Sequence, residues 1–230
     1  MSEVFDWGFA WSILPALTAG ASVTLQATMV GFLVALALGL PLALCRRSRS
    51  ILLFLPATAV IEFIRSTPLL IQVYFIFFVG PQFGIRLSPV TAGLMAIGLY
   101  YGCFIAQVYR SGIDAVPRGQ WEAVVALNMG RWRAYRAIIL PQAIPPMIPA
   151  LGNYLIDMFK ATPILSVITV LEMMTRAKMI GSETFRYTEP MTLVGVFFLV
   201  MTLGSSVLVR RLERMFGKAR GRAPAGLAGV

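Results

Sequence analysis

The sequence has no histidine, only ten acidic residues and two cysteines in 230 positions, and each shortage closes a class of function. Without histidine there is no Ser-His-Asp arrangement and no histidine-based metal site. A phosphate loop of the form Gly-x-x-x-x-Gly-Lys-Ser/Thr is also missing, since Gly217-Lys218 is followed by Ala219 and preceded by no matching glycine. The chain is therefore expected not to be an enzyme, and not to hydrolyse ATP itself. Cys45 lies at the end of one apolar run and Cys103 inside another, places unsuited to a stable disulfide, so both are read as structural.

What the chain has in abundance is apolar surface. With 58% hydrophobic residues, 13% charged residues and a mean hydropathy of +0.78, it is too apolar for a soluble domain of its size and is read as an all-α integral membrane protein. Nearly uncharged runs cover about Leu17–Leu44, Ile51–Val79, Leu87–Val108, Ala143–Leu171 and Met191–Val209. At 1.5 Å per residue each reaches across a hydrocarbon core of about 30 Å, which predicts five transmembrane helices in one domain over 1–216. Thr18, Ser22, Thr24, Gln26 and Thr28 place the early turns of the first run at the interface or inside the assembly.

A net charge of +10 raises nucleic acid as a partner, but the basic residues are placed otherwise. Fourteen of them follow the first, third and fifth runs: Arg46, Arg47 and Arg49; Arg110, Arg118, Arg131, Arg133 and Arg136; then Arg210, Arg211, Arg214, Lys218, Arg220 and Arg222. Only Arg86, Arg176, Lys178 and Arg186 fall on the other side. The positive-inside rule then gives an N-out, C-in topology with no role for nucleic acid. Glu3 and Asp6 replace a basic leader region, so no cleaved signal peptide is expected. The Gly-, Ala- and Arg-rich segment 217–230 reads as a disordered cytoplasmic tail, its basic residues suited to anionic lipid.

The connector between the third and fourth runs, about 110–141, is longer and more charged than two membrane helices require, and reads as a docking surface. Pro117, Gly119 and Gln120–Leu127 predict a short helix, Asn128–Gly130 a turn, and Arg131–Leu140 a second helix, with Pro141 introducing the fourth span. Trp121 and Val125 share one helical face; Trp132, Tyr135 and Ile139 share another. The stretch Glu122–Pro141 resembles the loop by which permease subunits of ABC importers engage their ATPases, patterned Glu-Ala-Ala, three residues, Gly, nine residues, Ile-x-Leu-Pro. Glu122, Ala123, Ile138, Leu140 and Pro141 match. Asn128 stands at the family's glycine, with Gly130 two positions on; asparagine tolerates left-handed backbone next best, so the turn is expected to survive. An amphipathic loop lying on lipid headgroups ranks lower, because it does not require that punctuation.

A second pattern is internal. Glu62-Phe63-Ile64-Arg65-Ser66-Thr67-Pro68 parallels Asp157-Met158-Phe159-Lys160-Ala161-Thr162-Pro163, with acid, base and proline at the same spacing. Each proline is expected to kink its span and free the carbonyl of Ile64 or Phe159, and the predicted topology makes the repeat parallel. Charges at mid-membrane cost about 2.5 to 3.5 kcal/mol each when they face lipid, so they must face protein or water. On a regular helix Arg65 and Gln72 lie within about 20° of each other near Glu62, while Asn153, Asp157 and Lys160 form a similar stripe. These stripes line a translocation path or form buried i, i+3 pairs that lock helices together; both readings stand.

Glu62–Leu70, Tyr109–Ile113 and Pro117–Ala123 extend the resemblance over nearly the whole chain, to polar amino-acid uptake permeases of the ABC superfamily, the histidine and glutamine permease type. Phe159–Met173 is similar to the ectoine and hydroxyectoine branch. Gln107 departs from the resemblance, standing where many members carry an acid. The resemblance implies a type I importer fold in the bacterial inner membrane, a second permease subunit, identical or paralogous, an ABC ATPase dimer that binds ATP and Mg, and an extracytoplasmic binding protein. Against it stands a membrane scaffold or channel component whose loop binds a partner without ATP-driven transport.

Overall fold

A bilayer leaves few ways to satisfy backbone polar groups, and helices are the chief one. The protein, in a computed structural model that describes residues 5–217, contains only helices and connecting turns among those residues. Helix α1 runs from Trp7 to Arg46, beginning ten residues before the first apolar run, because Asp6 caps it by accepting a 3.0 Å hydrogen bond from the Phe9 amide. Thr24 and Thr28 are buried and bond back to the carbonyls of Gly20 and Thr24, whereas Thr18, Ser22 and Gln26 face outward.

The second apolar run is not one helix. Helix α2 (Ile51–Ser66) ends at extended Thr67, and α3 (Leu69–Tyr74), continued by short turns to Phe83, leaves at 107°. Pro68 offers no N–H across the break, so the Ile64 carbonyl takes 2.7 Å and 3.2 Å hydrogen bonds from Gln72 Nε2 and Thr67 Oγ1 instead. The expected kink is therefore a break with a 107° change of direction. It also removes Gln72 from the face of Arg65: Gln72 is buried and holds the break closed.

Helix α4 (Pro89–Asp114) is straight and lies along α1. Their backbones approach closely, since a Cβ at Gly39 would stand 3.0 Å from the Gly102 carbonyl oxygen. After the connecting helix α5 (Arg118–Ala126), α6 (Arg131–Ala134), a π turn (Tyr135–Ile139), α7 (Leu140–Ala161) and a 3-10 segment (Thr162–Ile168) form one continuous helix. Pro141 thus does not open a new span. The π turn just before it absorbs the hydrogen bond that its nitrogen cannot donate.

Pro163 also lies inside that continuous helix, where the Phe159 carbonyl accepts a 2.7 Å bond from Thr162 Oγ1. The bend, 49°, comes later, at left-handed Thr169 (φ 60°) and the extended residues before α8 (Met173–Thr184). The twin prolines therefore sit in unlike backbones: one breaks its helix and the other does not. Glu172, fully buried, caps α8 by accepting from the Met174 and Thr175 amides at 2.9 and 2.7 Å.

Helix α9 (Thr188–Gly217) completes the bundle. Helices α1, α4 and α9 are long and apolar enough to cross a bilayer unbroken; α2 with α3, and the Arg131–Ile168 helix with α8, are bent pairs that bring the number to five when each counts as one span. The core lies where α4 sits between α1 and α7, around Ile97, Ile105, Met158, Leu165 and Ile168. Where α1 begins, Arg186 donates to Asp6 Oδ2 at 3.2 Å and Glu189 Oε1 at 2.7 Å, and Glu189 also accepts from the Asp6 amide, so one three-residue clasp joins α1 to the α8–α9 turn. Cys45 and Cys103 are both free thiols. The expected tail begins at the last turn of α9, and from residue 218 on it lies outside the described residues.

Candidate functional site

The connector folds as a knob held by its own end caps. Helix α5 closes in a Schellman arrangement: the Met129 amide donates to Val124 O at 3.1 Å and the Asn128 amide to Val125 O at 3.0 Å. Asn128 has φ of 48°, the left-handed position expected of it. Trp121 turns inward, its ring meeting Tyr135 edge-on over a small core of Val116, Ile139 and Met147. Gln142 Nε2 ties the knob to α7 by donating to Gln120 Oε1 at 3.2 Å.

The helical faces divide differently from the sequence expectation. Val125 is 77% exposed although Trp121 is half-buried, and Trp132 is 78% exposed although Tyr135 and Ile139 point inward. The turn at Asn128 sets the two helices so that the first gives Trp121 to the base and Val125 to the outside, and the second gives Tyr135 and Ile139 to the base and Trp132 to the outside. Glu122, Ala123, Gly130 and Pro141 are exposed; Ile138 and Leu140 are half-buried. The outer surface thus combines Val125, Leu127 and Trp132 with Glu122 and the exposed Arg131, Arg133 and Arg136.

The polar groups of the spans gather elsewhere. A cavity of about 400 Å³ lies between α4 and α7, lined by Tyr100, Tyr101, Phe104, Tyr154, Asp157 and Lys160. Asp157 and Lys160 pair at 3.7 Å, with both side chains 56% exposed. Asn153 is exposed one turn away, outside the cavity wall, and Pro163 is half-buried one turn beyond it. Glu62 and Arg65 also pair, at 3.8 Å, with Glu62 half-exposed and Pro68 exposed at the break. The Arg65 guanidinium stacks 4.9 Å from the centre of the Phe104 ring, so it stands behind a cavity wall. Gln72, directed at its own backbone, does not join this group.

The four aromatic rings carry no distinguishing signal in the sequence. Tyr100-Tyr101 and Phe104 at helical spacing read as ordinary apolar filling of a span, and only their approach to Tyr154, at 5.7 to 6.3 Å between ring centres, makes them a wall. Among the described residues no group of three or more cysteine and carboxylate side chains converges as a metal site requires.

Bilayer-length helices with an open cavity of mixed polar and apolar lining between two of them are the parts of a membrane transport component. Residues 27–218 match the family described as binding-protein-dependent transport system inner membrane component, and the chain belongs to that family. It is 46% identical over 208 residues, 90% of each chain, to a probable amino-acid ABC transporter permease, y4tG, of Sinorhizobium fredii. It is 36% identical to the glutamine transport system permease GlnP of Escherichia coli, over 91% of this chain and 97% of that one. Its fold matches a chain from the crystal structure of an amino acid ABC transporter with histidines, with a TM-score of 0.86, 36% identity, and coverage of 92% of this chain and 99% of that one.

Proposed function

We propose that this chain is the permease subunit of an ATP-driven importer for a polar amino acid or an amino-acid-like solute, ectoine among them. It forms the translocation path and couples it to a separate ATPase dimer. The observation that carries this reading is the cavity between α4 and α7, where one carboxylate and one ammonium lie 3.7 Å apart beside four aromatic rings. Opposite charges at that separation suit the two ends of a zwitterion, and the rings offer apolar surface beside them. The ectoine alternative among solutes is supported by the resemblance of Phe159–Met173 alone.

The chain sits N-out and C-in in the bacterial inner membrane, beside a second permease subunit, and receives its solute from an extracytoplasmic binding protein. That orientation puts the knob of α5 and α6 in the cytoplasm. There Glu122, Ala123, Asn128, Gly130 and the exposed Val125, Leu127 and Trp132 meet the ATPase, with Trp121, Ile138, Leu140 and Pro141 behind them. ATP-driven closure of the ATPases moves the knobs, which swing α4 and α7 around the cavity between outward and inward access.

The test has two arms. Glu122→Lys reverses a charge on the knob and touches no span, so membrane insertion should persist while ATPase co-purification and uptake fall; full recovery of both would sink the docking role. Cysteines at Ser48 and Ser182 should label from opposite sides of intact cells, and same-side labelling rejects the orientation. Normal ATPase recovery without ATP-dependent uptake would favour a scaffold or channel component instead.

A further inference from the structure

Four polar side chains from three helices meet toward the Arg46 end of the bundle, and their charges do not balance. Arg46, the last residue of α1, donates from Nη2 to Glu62 Oε1 at 2.8 Å. Arg65, one turn along α2, holds Nη1 3.8 Å from Glu62 Oε2. Both guanidinium groups also converge on α4. With its amide turned so that oxygen faces the donors, the Gln107 side-chain oxygen lies 2.7 Å from Arg65 Nη1 and 2.7 Å from Arg46 Nη1. Two positive charges therefore share one carboxylate and one neutral amide.

Acceptors are short as well as charge. Arg46 Nε and Arg65 Nε are both buried without a partner, although two guanidinium groups present ten N–H donors between them. What such a cluster lacks is a second carboxylate. The cluster is partly open, with Glu62 and Arg65 49% and 32% exposed, and it touches the cavity at one ring, since Arg65 lies on the Phe104 ring that walls the Asp157–Lys160 cavity. Phe104 is thus shared between the cavity and the arginine cluster.

We propose that Arg46, Arg65 and Gln107 form a second station on the solute's route, which takes the solute's carboxylate after the cavity, and that neutral Gln107 fixes a preference for carboxylate-bearing solutes without net positive charge. The proposal rests on the importer reading above. An acid at position 107 would balance the two arginines, remove the attraction for a passing carboxylate and lower the barrier to a cation. A structural role predicts the reverse, because an acid there would gain two charge-assisted hydrogen bonds and only tighten the packing.

The test uses the whole transporter, with its ATPase, second permease and binding protein, in vesicles of phosphatidylethanolamine and phosphatidylglycerol, and labelled glutamine, ectoine and arginine as probes. Gln107→Glu should lower uptake of the zwitterion that wild type carries by about tenfold at saturating binding protein, with the half-saturating concentration and the protein level unchanged. Adding Glu62→Gln restores the surplus charge, and the double variant should return to within about twofold of wild type. Wild-type rates in Gln107→Glu, a double variant that stays slow at normal protein level, or wild-type preference for arginine each overturn the proposal while the importer reading stands. Wild type that assembles with its ATPase yet carries none of the three solutes defeats the importer reading, and this station with it.

Discussion

Trp121 on α5 and Tyr135 in the π turn meet at nearly a right angle, with ring centres 5.6 Å apart, and this is the contact that seats the knob on the end of α7. Trp132, eleven positions after Trp121, faces outward and makes no such contact, so the two tryptophans have separable roles.

Trp121→Ala should loosen the knob and cost about 1–3 kcal/mol, below the loss for a fully buried tryptophan because the ring is half-exposed. Trp132→Ala should change stability by less than about 0.5 kcal/mol yet reduce ATPase recovery about tenfold. Thermal unfolding of the purified permease and ATPase pull-down, run on both variants, separate the two effects. Equal behaviour in both assays would contradict the division of faces.

Asn128 should accept glycine and reject a β-branched residue. Asn128→Gly keeps the left-handed turn without a Cβ, so stability and uptake should stay near wild type, whereas Asn128→Val should cost about 1–2 kcal/mol through the same backbone angle. Protease sensitivity of the connector is a direct readout, expected to rise in the valine variant alone.

Gln72→Leu should destabilise the permease by about 1–3 kcal/mol, because the buried Ile64 carbonyl loses its amide donor and the leucine offers none. Uptake per folded molecule should remain near normal, since the side chain serves the break between α2 and α3. A large fall in uptake with an unchanged melting temperature would return Gln72 to the translocation path.

The Asp6 clasp carries a pH dependence of definite sign. The Phe9 amide, first, and then the Arg186 guanidinium hold the Asp6 carboxyl below the ordinary aspartate range. The stabilisation is therefore fully present above the usual aspartate value of about 3.9 and is lost only as pH falls through the lower folded value. The protection of the amides at the start of α1, measured as exchange relative to the intrinsic rate at each pH, should be equal at pH 7 and pH 5, and Asp6→Asn should lower it at both. Release of the clasp between pH 7 and pH 5 in the unaltered protein would refute this.

Local chemistry was readable from the sequence where neighbours within a few positions decide the outcome. The left-handed turn at Asn128, the i, i+3 charge pairs and the long apolar helices are all of that kind. Tertiary contacts decided the rest. Pro68 and Pro163 occupy matching motifs, yet Gln72 supplies a replacement donor that lets one helix break, and Thr162 back-bonds within the other, which continues. Pro141 looked like a boundary because a π turn leaves no compositional mark. The aromatic wall of the cavity was hidden for a similar reason: tyrosine and phenylalanine inside an apolar span carry the same signature whether they fill a core or line a void.

The unbroken helix from Arg131 to Ile168 has a mechanical consequence. Trp132 and Lys160 are about 40 Å apart along it at 1.5 Å per residue, and a helix resists axial compression far more than bending. Anything that pushes on Trp132 therefore displaces Lys160 at once and by nearly the same amount, like the two ends of a piston rod. The compliant points in its length are the π turn and Pro145, Pro146 and Pro149, all of which precede the turns that carry Tyr154, Asp157 and Lys160, so those three residues move together.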